Sequence, residues 1–128
     1  MSDFNYQGKQ KVWKREGSNF LVEVKRWRPG YGENIWNIYV YLYPKHPLFE
    51  KSEDGICNSQ IDFHGGCTHS WFSYDKDGDA RVKEYGCDYA HYGDGRFGRM
   101  KTKEDAYEIF NDAREIYEYL SNHIVEVV

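Results

Sequence analysis

The chain of 128 residues has the size of one domain, long enough for a single core to bury roughly two-thirds of the unfolded surface. Its formal charge of −4, from 17 basic and 21 acidic residues with the signs interspersed, excludes a basic stripe that tracks a phosphate backbone and is too mild to argue a nucleic-acid mimic. No apolar run reaches the roughly 18 residues of a membrane span, and the opening MSDFNYQGKQ lacks the apolar stretch of a signal peptide.

Cys57, Cys67 and Cys87 are an odd number with no recognisable framework, which points to reduced thiols and a cytoplasmic setting. Aromatic content is 18 %, including 12 Tyr. Tyr and Trp suit binding surfaces, because they offer large contact area with a polar handle, and they are also favoured in strands.

The stretch Lys11 to Arg15 is short and charged, with Val12 and Trp13 as its apolar content, and Gly17-Ser18 is a tight turn between it and the next segment. Phe20, Val22 and Val24 then alternate with Leu21, Glu23 and Lys25 at the period of a strand. Pro29, Gly30 and Gly32 mark a loop. Asn34 to Tyr43 is dense in β-branched and aromatic residues, so it reads as the central strand, and Pro44 and Pro47 end it. The connection KHPLFEKSEDG has room for one helical turn, and Gln60 to His64 resumes an extended pattern. Thr68 to Tyr74 and Ala80 to Tyr89 flank Asp77-Gly78, a two-residue hairpin signal. The acidic run Asp75 to Asp79 is not an EF-hand, because Gly78 and the missing distal glutamate break that spacing.

A C-terminal helix over about residues 103–120 follows. Thr102 serves as N-cap, Glu104 and Asp105 sit near the positive end of the dipole, and Ala106, Ile109, Phe110, Ala113, Ile116, Tyr117 and Leu120 form one apolar stripe. Ser121 and Asn122 end it, and the tail HIVEVV alternates like a short strand. The fold expected is a single α+β domain over residues 1–128, an antiparallel sheet packed against one amphipathic helix.

Chemically capable residues concentrate in residues 60–98. A two-residue turn at Asp77-Gly78 pairs Thr68 with Cys87 and His64 with His91, unless Gly65-Gly66 form a bulge that slips the register. Three readings compete for this cluster. His64, His91 and Asp94 are metal-ligand types for zinc or another divalent ion, although their spacing fits no standard signature. Cys87 is a candidate nucleophile activated by His64 or His91, with Asp88 as a further catalytic candidate. Alternatively the same residues hold loops together, with Asp88 and Asp94 bonding turns. Candidate binding residues are Thr68, Trp71, Tyr92, Arg96 and Arg99; the two arginines could meet an anion beside the helix start. His46 and His123 read as surface residues.

The runs YVYLYPKHPLF, FHGGCTHS, GCDYAHYGD and KTKEDAYEIF, in that order over residues 34–120, resemble a set of small proteins of phages, prophages and plasmids. That set carries an HGG-x-T motif and a G-x-D-x-x-H-x-x-D motif before a C-terminal helix. The matching positions here are His64, Gly65, Gly66, Thr68, Gly86, Asp88, His91 and Asp94, with Cys67 in place of an aliphatic residue. The resemblance implies a mobile-element accessory protein without an established reaction. The leading expectation is therefore a protein that binds a host protein, as an inhibitor of a bacterial defence system, with no membrane, no strong nucleic-acid signal and no cofactor, zinc or another divalent metal being the alternative. The rivals are a small metal-dependent hydrolase using the His/Asp cluster, and a nucleotide-binding sponge.

Overall fold

The structure, a computed structural model, describes residues 10–28, 33–51, 61–90 and 94–122. Its strands are β1 (Gln10–Gly17), β2 (Phe20–Trp27), β3 (Ile35–Leu42), β4 (His69–Tyr74) and β5 (Ala80–Asp88), followed by one helix, α1 (Tyr107–Ser121). All neighbours pair antiparallel in one sheet of order β1-β2-β3-β5-β4. The α+β layout is the one the sequence predicts, and β3 is the central strand. No helix among the described residues is long and apolar enough to cross a membrane.

Alternation decides which side chains meet the helix. Phe20, Val22 and Val24 of β2, Trp36, Ile38, Val40 and Leu42 of β3, and Tyr85 and Cys87 of β5 are buried in one core. Cross-strand pairs such as Val24–Ile38, Ile38–Cys87 and Val40–Tyr85 place them on the same face. The stripe read from the sequence closes that core: Ile109, Phe110, Ala113, Ile116 and Leu120 are buried, with Phe110 edge-on to Trp13 and Trp36. Burying each large apolar side chain is worth about 1.5–3 kcal/mol, which makes this face the main source of stability.

α1 starts later than expected. The Thr102 hydroxyl accepts from the Asp105 amide at 3.1 Å, so it caps a turn, but Ala106 (φ −96°, ψ 30°) separates that turn from the helix. Beyond the reach of α1, the underside of β4 and β5 is covered by the 3₁₀ turn Phe49–Lys51. Buried Lys83 donates to the Phe49 carbonyl at 2.8 Å, with its ammonium over the Phe49 ring. A second 3₁₀ turn, Gly95–Arg99, docks at the start of β3, where the Asn34 amide donates to the Gly98 carbonyl and the Trp36 indole to the Met100 carbonyl.

His46 corrects the surface assignment, since it is 2 % exposed. The Leu48 amide donates to its Nδ1, so the proton sits on Nε2, which donates to the Leu120 carbonyl at 3.1 Å. This histidine therefore ties the loop after β3 to the last turn of α1, one of the orphan carbonyls of a helix end.

Both hairpin turns differ from expectation. The first loop is Ser18-Asn19, with Asn19 at φ 68°, a value Asn tolerates better than most residues. In the second, Gly78 (φ 86°) donates to the Asp75 carbonyl, and the Asp75 carboxylate accepts from the amides of Asp77 and Asp79. The loop is thus one residue longer than a two-residue turn. A register shift between Ser73 and Tyr74 cancels the extra residue, so His69–Gly86 and Trp71–Glu84 still pair as a two-residue turn would have paired them. The stretch Gln60 to His64 does not resume a strand where it is described: Ile61 and Phe63 insert into the core, and Gly65 and Gly66 (φ 69° and 89°) turn the chain toward β4. The tail HIVEVV lies outside the described residues.

Candidate functional site

The alternation of β5 splits the sequence cluster between the two faces of the sheet. Cys87 pairs with Ile38 and points into the core, whereas Asp88 pairs with Asn37 and belongs to the face opposite α1. Thr68 joins Asp88, Oγ1 to Oδ2 at 3.5 Å, and the other Asp88 oxygen accepts from the Ala90 amide. His64 and Asp94 lie on the helix side.

On the helix side, His64 is stacked on Tyr89 (centroids 4.3 Å, planes 13° apart) and set edge-on to Phe97. Its Nε2 lies 2.9 Å from both oxygens of buried Asp94. The Tyr89 hydroxyl donates to Asp112 of α1 at 2.5 Å. Burial, and next that bond, hold this phenol protonated far above its usual range. A cavity of about 400 Å³ opens beside the pair, lined by Asp62, Phe63, His64, Asp112, Glu115, Ile116 and Tyr119. The arrangement combines a carboxylate-oriented imidazole with an aromatic-walled, acidic cleft, which is compatible with proton transfer or with holding a cationic group.

Cys87 lies under this site as a core thiol. Burial pushes it up to about 12; backbone hydrogen bonds from Ile38 and His64 pull the other way without offsetting the burial. A thiol kept neutral at physiological pH is a poor nucleophile. Cys67 is disulfide-bonded while Cys87 is free, which corrects the expectation of three reduced thiols. An odd cysteine count conceals one bridge and one leftover thiol as readily as three thiols.

On the opposite face, β4 and β5 present a polar and aromatic surface. Trp71 is 64 % exposed, and Tyr74, at the end of the same strand, is 50 % exposed. His69 Nε2 contacts Glu84 at 2.6 Å and its ring meets Tyr39 edge-on. Tyr39 lies flat enough over the sheet that a Cβ on Gly86 would come within 2.6 Å of its ring and 2.8 Å of the Ile38 carbonyl. Here Gly86 serves a close approach. Lys25 reaches the Tyr39 ring, the Tyr41 hydroxyl at 3.5 Å and the buried Glu23 carboxylate at 3.5 Å. Burial, followed by the hydrogen bond with Glu23, keeps Tyr41 protonated well above its usual range.

Of the remaining candidates, Arg96 is engaged by Glu108 at 3.0 Å and lies over Phe97, so the anion-binding role assigned to it is taken by α1 itself. Arg99 is exposed at the end of its 3₁₀ turn. His91 and Tyr92 lie outside the described residues. Among the described residues, no three of His, Cys, Asp and Glu converge as a metal-ligand set. Sequence reasoning missed Asp112, His69, Glu84 and Glu23. The first was hidden because helix and motif meet only in three dimensions; the others had a readable signal, since alternation places them on one face with Tyr39 and Tyr41.

The chain matches no family model, no curated protein and no solved structure.

Proposed function

We propose that this is a phage- or mobile-element accessory protein that acts by binding a bacterial host protein, as an inhibitor of a defence system, and that the open face of the sheet is its contact surface. The observation that carries the reading is Trp71. Tryptophan is among the residues that dominate binding energy, and here it stands on an edge strand among those described, with most of its surface in solvent. Around it, Glu84 held by His69, and Asp88 held by Thr68, form a polar rim with fixed orientation. Such a rim excludes water from an aromatic anchor without adding much energy of its own.

The site of action in this reading is the cytoplasm of the host. The Cys67 disulfide pulls against that placement, because such bridges persist mainly in oxidising compartments. Melting curves with and without reductant show whether the fold tolerates its loss.

The test is capture from a bacterial lysate with the tagged chain, run beside Trp71→Ala. The wild type should retain a stoichiometric protein that the variant loses while melting at the same temperature. Capture of the same protein by both, or of none by either, would refute this reading. A hydrolase draws support from one feature, the His64–Asp94 pair on the acidic cavity. Turnover that survives Trp71→Ala and vanishes in His64→Ala would favour it.

A further inference from the structure

The two edges of the sheet are built differently. β1, at one edge, carries exposed Lys14, Arg15 and Glu16 and a register shift between Lys11 and Trp13. Charges and irregularities of that kind keep an edge from pairing with another chain. β4, at the other edge among the described strands, reads HSWFSY and contains no Lys, Arg, Asp, Glu or Pro. Two of its three exposed side chains, Trp71 and Tyr74, are aromatic. An edge of this composition is a ready template for strand addition.

From this we infer that β4 pairs antiparallel with β4 of a second copy, about a two-fold axis at Trp71. The uncharged, self-complementary sequence of β4 about Trp71 selects the copy, and the charges around it select the direction. The hairpin tip beside β4 carries Asp75, Asp77 and Asp79 with Lys76 between them, and Asp75 is paired with Arg81, so the tip keeps a net negative charge. Antiparallel pairing sends the two acidic tips to opposite ends of the joint, whereas parallel pairing would set them side by side. About an axis at Trp71, His69 stands opposite Ser73 of the copy and Ser70 opposite Phe72, so no like charges face one another along the strands. Trp71 meets its own copy on the open face, where aromatic pairs across strands are favourable. A two-fold contact of this sort is self-complementary, the commonest symmetry among oligomers. The joint makes the two open faces continuous and sets the two Trp71 rings side by side at its centre, so that with the host-binding reading the anchor is the pair of rings rather than one.

Sedimentation of the full chain over a wide concentration range tests this. The mass should rise from monomer to dimer, Trp71→Lys and Ser73→Lys should each return it to monomer at unchanged melting temperature, and Trp71→Cys should cross-link to itself under mild oxidation. A wild type that stays monomeric at every concentration overturns the inference, as does a dimer that survives both lysine variants and gives no cross-link. Neither result touches host binding, which is read by lysate capture: Ser73→Lys keeps Trp71, so capture by this variant without dimerisation would overturn any need for the dimer in binding.

Discussion

The two faces of the sheet use the same kinds of residues for opposite ends. Under α1, histidine, aspartate and aromatic rings are locked together: His64 stacks on Tyr89, Tyr89 bonds Asp112, and buried Asp94 holds the imidazole. On the open face, histidine, glutamate and tyrosine also bond one another, yet beside them Trp71 is left to solvent. The contrast shows that the same residue types serve both a packed cluster and an exposed surface. What separates the faces is where the aromatic rings stand: Tyr89 and Phe97 are buried against His64, whereas Trp71 is 64 % exposed beside His69 and Glu84.

The sharpest way to break this comparison is at the helix. Phe110→Ala empties the contact with Trp13 and Trp36 and should cost about 3–5 kcal/mol in denaturant titration; a loss below about 1 kcal/mol would mean α1 is not the main cover of the sheet. Next comes His64→Ala, which leaves Asp94 buried without its imidazole and should cost about 1–3 kcal/mol. If stability is unchanged, the pair is free to serve chemistry rather than structure. Alkaline pH gives a further measure. Below pH 9, the ordinary value of Cys87, the thiol is protonated in both states and its contribution is complete. Between 9 and about 12 the unfolded chain ionises while the folded one keeps its proton, so stability falls across that window. The slope is at most about 1.4 kcal/mol per pH unit, and Cys87→Ala should make the decline shallower than in wild type. The smallest effect belongs to the open face: Trp71→Ala should move stability by no more than about 0.5 kcal/mol. A larger loss would show that Trp71 packs as scaffold.

Much of the fold was legible because periodicity reports directly on burial. The stripe from Ala106 to Leu120 and the alternation of β2 fixed which faces meet, and the density of β-branched and aromatic residues in β3 placed it at the centre. Turn details were less legible. The loop at Asp75–Gly78 and the shift at Ser73 are two departures that cancel, so β4 and β5 keep the register of a two-residue turn from His69 to Ser73, while the expected pairs Thr68–Cys87 and His64–His91 lie beyond the observed ladder. The site was half legible. His64 and Asp94 do meet, but through the loop leading to the second 3₁₀ turn, and β5 carries neighbours Cys87 and Asp88 to opposite faces. His46 misled because a polar residue between two prolines suggests an exposed loop, whereas the helix end it bonds lies 74 residues further along the chain.

Gly86 has a reach well beyond its own size. The Tyr39 ring rests where a side chain at this position would stand, and from that height it meets the His69 ring and the Lys25 ammonium. A single methyl group at Gly86 would displace the ring, and with it the two groups it seats, and would also press on the Ile38 carbonyl of β3. The open face can therefore be reshaped from the strand beneath it, with every contact side chain left in place in the sequence. A glycine of this kind sets the level of a surface without adding a side chain to it.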